Sequence, residues 1–446
     1  MITDQLEAAS TMRVARGPRG LPLLGNLGVL RGILPFLVQQ WQRHGDIFRV
    51  ELAGNTVTVL THPDPIQDVL LTRRENFTKG RAYDPVRRLL GEGLVTLNGN
   101  AWKSRHTLVQ PAFHRRSLEK LTAIMVTSGA RFFDRLAEQQ GTGEETVDIH
   151  RVFVRLTLDV VIAALFGEGT LDSAAVSYET LSGALELLSE GFNGFRLPDW
   201  VPSPKNRKFQ RTTRELDQNM FTIIERARQN RDSGGAGSLL AMLLDSRDEV
   251  GGELTSQDLR NEVLTLFMAG HETTALTLTW LFTLLDQRDE VVARMREEVD
   301  TVLCGRDPTF EDVAQLPYIR RVVDETLRIR PVAAMVARNV VQDDQVGGFS
   351  VSRDDMVMPF IWGLHRHPDF WSNPEHFDPD RFLSETERMR DALHRQRRIA
   401  QHRAGGLMAH GLRQLSIRRA FFAEMPSQGA HAEPERTRGC DHVRQL

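Results

Sequence analysis

Ala269-Gly270-His271-Glu272-Thr273-Thr274 sets a carboxylate, an imidazole and two hydroxyls in the middle of the most apolar run of the chain, Val263 to Leu285. Glycine inside a helix costs about 1 kcal/mol relative to alanine, and buried acidic or hydroxyl groups cost more unless they find partners. One function explains that cost. A helix passing close to a flat ligand uses Ala269 and Gly270 to leave space, and Glu272 and Thr273 to relay protons through water. A packing explanation draws on the same residues: a glycine contact between crossing helices and a threonine hydroxyl bonded to its own backbone. His271-Glu272 also opens the HExxH pattern of zinc proteases, but Ala275 stands where the second histidine belongs, so that chemistry is set aside.

Two further constellations carry charge at helical spacing. Glu325-Thr326-Leu327-Arg328 places opposite charges three residues apart on one helical face, flanked by apolar Val322, Val323 and Ile329. On a surface such a pair is worth a few tenths of a kcal/mol, whereas in a buried network completed by Arg381 its rupture costs about 3 to 5 kcal/mol. Trp102 and His106, four apart, project together, and indole N–H and imidazole both suit a carboxylate. Arg338 offers a fork-shaped cation for a second carboxylate. Core packing accounts equally well for the Trp–His pair, and a solvent-facing strand edge for Arg338.

The elements that must position these groups are mostly helices. From Trp102 to about Ala333 the apolar residues recur with a 3.6-residue period, and Phe153 to Phe166 and Val263 to Leu285 are apolar enough for buried helices. Breaks are expected at Gly141 to Gly143, Leu197 to Pro204 and Asp232 to Ser238. Ahead of this lies an extended segment punctuated by Pro18, Gly20, Pro22 and Gly25, then a helix from Ile33 to Arg43 closed by Gly45. Ile47 to Leu60 reads as a β-hairpin around Ala53-Gly54-Asn55, and Arg338 to Pro359 as short strands around Gly347-Gly348. The expected class is mainly α with small β-sheets.

Composition narrows the function classes. With 446 residues, 41% of them hydrophobic, the chain can bury a large core without metal or disulfide staples. A formal charge of -3 provides no field to draw in nucleic acid, so no nucleic-acid partner is expected. Pro22, Asn26, Arg31 and Pro35 interrupt the most apolar early stretch, which argues against a transmembrane anchor. Only Cys304 and Cys440 are present, far apart, which argues against a disulfide framework and suits a reducing cytoplasm. Cys304, just before Gly305, reads as a small buried or helix-capping residue. The organisation expected is a folded domain over 1–382 and a poorly ordered tail over 383–446, in which arginine is mixed with glycine, alanine and histidine.

Taken together and in order, these residues resemble the cytochrome P-450 family of haem-thiolate monooxygenases, from about Gly17 to Phe382. Arg19 to Asn26 is similar to the family's proline-glycine lead-in, and Trp102 to His106 with Pro111-Ala112-Phe113 to its C helix. Ala269 to Thr274 is similar to the oxygen-activating stretch of the I helix, and Glu325 to Arg328 to the K-helix ExxR. His365 to Pro368, Trp371 to Glu375 and Phe377 to Phe382 resemble the meander before the haem loop. The resemblance implies haem as cofactor, bound with Trp102, His106 and Arg338 at its propionates and Ala269 and Gly270 beside it. It implies Glu272 and Thr273 as proton-delivering residues, and Glu325, Arg328 and Arg381 as a structural triad. It further implies hydroxylation or epoxidation of a small hydrophobic substrate with O2, and electrons from a ferredoxin- or flavodoxin-type donor.

One segment departs from the family. After Phe382 the resemblance requires a phenylalanine-glycine loop ending in the iron-ligating cysteine, and no such loop follows. Cys440 has an arginine two places before it but lacks the phenylalanine and glycine and lies far beyond the expected spacing. The metal ligand is therefore unassigned, and the tail histidines His394, His402 and His410 are the alternatives to sulfur. The tail's texture suits a shifted reading frame in GC-rich DNA, and a chain so altered is expected to be an inactive monooxygenase or a remnant with weak haem binding.

Overall fold

The computed structural model describes residues 13–21, 25–52, 54–139, 148–167, 183, 201, 203–229, 238–246 and 252–383. The tail beyond Leu383, with His394, His402, His410 and Cys440, lies outside the described residues, as do most of the expected breaks near 141, 197 and 232. The described chain divides into two compact units, one running up to Asp84 and resuming at Leu327, the other from Pro85 to Thr326.

The first unit is built on a five-stranded sheet. Helix α1 (Ile33–His44) ends at Gly45, whose φ of 84° lets its N–H return to the Trp41 carbonyl. Strands β1 (Ile47–Leu52) and β2 (Asn55–Leu60) pair antiparallel with Leu52 opposite Asn55, across a turn holding Gly54 at φ 77°. That is the hairpin the sequence predicts. Strand β3 (Phe77–Thr78) lies at one edge, and β4 (Arg338–Val340), β5 (Asp344–Val346), β6 (Phe349–Val351) and β7 (Met356–Pro359) come from the far side of the sequence. The sheet order is β1-β2-β7-β4-β3, with β7 parallel to β2 and antiparallel to β4, while β5 and β6 form a separate hairpin. Gly347 and Gly348 turn that hairpin at φ 57° and 81°, a pair of left-handed residues that glycine adopts without strain.

Period-2 alternation gives the sheet two apolar faces. Val57 and Val59 of β2 join Phe48, Val50 and Met358 against Phe36 and Leu37 of α1. Val357, one residue from Met358, points the other way with Val340, Val346 and Ile66.

The second unit is helical: α2 (Gly99–Val109), α3 (Arg115–Gln139), α4 (Ile149–Phe166), α5 (Pro204–Gln229), α6 (Leu239–Asp245), α7 (Ser256–Leu285), α8 (Asp289–Leu303) and most of α9 (Pro317–Ile329). Asp148 caps α4 by accepting from Arg151 N–H, and ten of the helix's residues are buried, the continuous apolar run that the sequence marks as core. Helix α7 runs alongside, with Phe153 and Phe282 rings 4.9 Å apart. It begins earlier than its apolar run. Thr255 and Asp258 form a reciprocal capping box, which starts the helix at Ser256. Cys304 ends α8 in the left-handed conformation, the capping place expected, but it is exposed rather than buried. Among the described residues no helix is long and apolar enough to cross a membrane.

Candidate functional site

The middle of α7 has two faces. Gly270, His271, Thr274, Ala275 and Leu278 are buried, while Ala269, Glu272, Thr273 and Leu276 stay partly or fully open, and the spacing of three and four makes these open positions one stripe. His271 is held on the buried side, with Nε2 3.0 Å from the Val154 carbonyl of α4 and its ring stacked on Phe267. Burial lowers its imidazole pKa, so the neutral ring is favoured. The predicted proton-relay residues therefore lie on the open stripe beside small Ala269, and Gly270 lies on the buried flank.

Their chemistry is set by their surroundings. Glu272 is open to solvent on one side, yet the crowding of protein on the other raises its carboxyl pKa, against a smaller lowering by His150. A carboxyl so placed holds its proton to higher pH than an ordinary glutamate. Thr273 donates its hydroxyl to the Ala269 carbonyl at 2.5 Å, one turn back in the same helix. This is the local bond that the packing explanation anticipated. Two neighbours differ: His271 Nδ1 and the Thr274 hydroxyl are buried with no hydrogen-bond partner among the described residues.

Trp102 and His106 are half-buried on α2, and their rings stack with centroids 4.9 Å apart. The structure thus brings this pair together as the four-residue spacing requires. In the first unit, Arg338 stands on β4 with Nη1 donating to Tyr83 Oη at 2.9 Å and to the Ala337 carbonyl at 2.8 Å. Its guanidinium also lies over the Tyr83 ring at 5.6 Å, so the cation is steadied before any anion arrives.

The expected triad residues are all buried: Glu325 is 0% exposed, Arg328 1% and Arg381 6%. Glu325 and Arg328 lie one turn apart on α9. Arg328 donates from Nη1 to the carbonyls of His365 and Pro374 at 3.0 and 2.7 Å and from Nη2 to His376 at 3.3 Å. Arg381 donates to the same His376 carbonyl at 2.9 Å and to Ser372 at 3.0 Å. Two guanidiniums thereby pin the irregular segment 365–381, whose backbone has no regular ladder to satisfy its carbonyls. His365, wholly buried beside Arg328 and Arg366, has its pKa lowered to about 3, chiefly by desolvation.

Sequence reasoning missed a second polar cluster on α7. Arg260, Asn261 and Glu262 are all nearly inaccessible. Arg105 of α2 pairs with both Glu262, at 2.9 Å, and Asp258. The available signal was the threonine-to-aspartate capping box at Thr255 and Asp258, which moves the helix start upstream and puts 260–262 inside it.

A profile of the family described as Cytochrome P450 matches residues 15–399. The chain belongs to the cytochrome P450 family. Cyclooctatin synthase of Streptomyces melanosporofaciens is 32% identical over 397 residues, 86% of this chain and 83% of that protein. Pentalenene oxygenase of Streptomyces avermitilis is 29% identical over 378 residues, covering 84% and 82%. A crystal structure of the cytochrome P450DA heme domain superposes with a TM-score of 0.76 at 25% identity, covering 92% of this chain and 90% of that one. Cytochrome P450 proteins are haem-dependent monooxygenases, and the fold found here, mainly helical with small sheets, is theirs.

The residues present fit haem on two counts. Small Ala269 on an open stripe, with the bulky His271 turned away, suits a flat ring, and the stacked Trp102–His106 pair and the braced Arg338 suit carboxylates. On a third count they do not fit. Cys304 ends α8, ahead of that segment in the chain, and no cysteine occurs between Leu383 and Gly439, where a cytochrome P450 needs its thiolate.

Proposed function

We propose that this chain carries the cytochrome P450 scaffold for hydroxylating or epoxidising a small hydrophobic compound, and that replacement of the segment after Phe382 leaves it without the sulfur ligand the reaction needs. The observation that carries the first half is the open stripe Ala269, Glu272, Thr273 beside the buried Gly270, His271 and Thr274 in the middle of α7. The second half is supported by the sequence from Leu383 to Gly439, which is free of cysteine. Haem, where bound, supplies the redox centre for dioxygen chemistry.

The protein's own residues would bind, orient and move protons. Glu272, with its raised pKa, holds a proton at its carboxyl near the open face, and Thr273 Oγ1 passes one on only by leaving the Ala269 carbonyl. Trp102, His106 and Arg338 would pair with the propionates, while Arg328 and Arg381 hold the segment 365–381 and Glu325 would complete the triad. The substrate class that a relative favours is the one its name denotes, the olefin pentalenene of pentalenene oxygenase. A ferredoxin- or flavodoxin-type protein is the proposed electron donor and the cytoplasm the proposed compartment.

The test is product analysis. Purified chain, haem, a ferredoxin system and an olefin substrate should yield no product bearing one added oxygen, whereas a version with a family-type cysteine loop grafted after Phe382 should yield it. Turnover by the ungrafted chain refutes the second half, and no turnover by a haem-loaded graft across olefin, fatty-acid and polyketide panels refutes the first.

A further inference from the structure

Three consecutive residues at the start of α7 each grip the backbone of one segment. Arg260 Nη2 donates to the Leu89 carbonyl at 2.9 Å, Asn261 Nδ2 to the Glu92 carbonyl at 3.4 Å, and Glu262 accepts from Leu94 N–H at 3.1 and 3.3 Å on its two oxygens. The segment is folded to fit this grip. Thr96 Oγ1 accepts from Gly93 N–H and donates back to the Gly91 carbonyl, and Gly91 sits at φ 72°. Contact with α7 is so close that a Cβ on Gly93 would meet Thr265 Oγ1 at 2.5 Å and one on Gly91 would meet Asn261 Oδ1 at 2.4 Å. The segment leads directly into α2, which carries Trp102 and His106.

We propose that Glu262 is a proton-operated fastening, whose protonation loosens the segment from Leu89 to Leu97 on α7. The geometry supplies the reason. Glu262 is 0% exposed, and its Oε1 takes both the Leu94 amide and Arg105 Nη1 while Oε2 takes the same amide. A proton added to either oxygen removes the negative charge that both donors share and weakens their bonds. The charged groups around it are Arg105 from α2, Asp258 one turn earlier on α7, and Arg260, which is turned away to Asp217 of α5 and the Leu89 carbonyl. Arg105 keeps Asp258 as partner when Glu262 is neutral, so protonation does not strand its charge. The Glu92 side chain is exposed, and it is its carbonyl that faces α7. Desolvation outweighs Arg105 and the Leu94 amide and raises the Glu262 pKa to about 7, which puts the fastening within the range of physiological pH.

The experiment is a pH series on the full chain, reading the hydrogen-exchange protection of the Leu94 amide, normalised to amides of the buried part of α7, together with the 13C shift of the Glu262 carboxyl. Protection should fall about tenfold as the pH is lowered through 7, the difference between a charge-assisted and a neutral hydrogen bond. The carboxyl should titrate with the same midpoint, and in Glu262→Gln the protection should stay flat. Should that variant not fold, coincidence of the two midpoints in the native chain carries the proposal. A carboxyl midpoint in the ordinary glutamate range, midpoints more than about one pH unit apart, or a persisting pH response in Glu262→Gln overturns it.

Discussion

Arg328 and Thr274 are buried to the same degree, at 1% and 0% exposure, yet the fold treats them oppositely. The guanidinium of Arg328 donates to the carbonyls of His365, Pro374 and His376, whereas the Thr274 hydroxyl finds no partner among the described residues. One region uses its guanidiniums to hold an irregular chain; the other leaves the Thr274 hydroxyl unpaired beside an open stripe. Satisfied buried polar groups fasten structure, and unsatisfied ones mark where a missing partner belongs. The start of α7 behaves as the Arg328 region does, which places both characters on one helix only a few turns apart.

The largest effect is expected at Arg328. Arg328→Ala should cost about 3–5 kcal/mol, because three buried carbonyls lose a charged donor. Urea unfolding reads this directly, and a loss below about 1 kcal/mol would make the network ornamental. Beside it, His365 should give the stability a pH slope. Its folded pKa, about 3, lies below its unfolded value of 6.5, so the unfolded chain binds more protons between these limits. Its contribution is full above about pH 6.5 and is lost as the pH falls towards 3. His365→Phe should flatten that stretch of the stability–pH curve, and an unchanged slope would assign it to other groups.

Gly93→Ala tests the α7 grip, since the new methyl meets the Thr265 hydroxyl and the Asn261 carbonyl. A loss of about 1–3 kcal/mol is expected, with protection lost first in the segment around Leu94. Uniform loss of protection across α4 and α7 would show that the segment is not a separate unit of stability. At the open end, Thr274→Val should change stability by less than about 0.5 kcal/mol or improve it, because no bond is broken and a buried hydroxyl is removed. A loss above about 1.5 kcal/mol would show that a water or another partner satisfies the hydroxyl.

Much of this was legible in sequence wherever backbone chemistry dictates geometry. Gly45 ends α1, Gly54 turns the first hairpin and Gly347-Gly348 the last, each because the backbone there adopts positive φ. The middle of α7 was legible as an insult to an apolar helix, and the faces sorted as the 3.6-residue period requires. The start of α7 was not. Arg260, Asn261 and Glu262 look like a solvated stretch, and only partners far off in the chain, Leu89, Glu92, Leu94 and Arg105, make their burial affordable. The parallel pairing of β2 with β7 was equally hidden, because residues 57 and 356 meet through tertiary packing and no local turn announces it.

With no cysteine between Leu383 and Gly439, the proposed cytochrome P450 scaffold is expected to lack the sulfur that should hold its iron. Haem titration of the purified 446-residue chain, followed by a reduced carbon-monoxide difference spectrum, tests it most directly. Weak haem binding with no thiolate-type band is expected. Stoichiometric haem with a thiolate-type reduced carbon-monoxide band would contradict it.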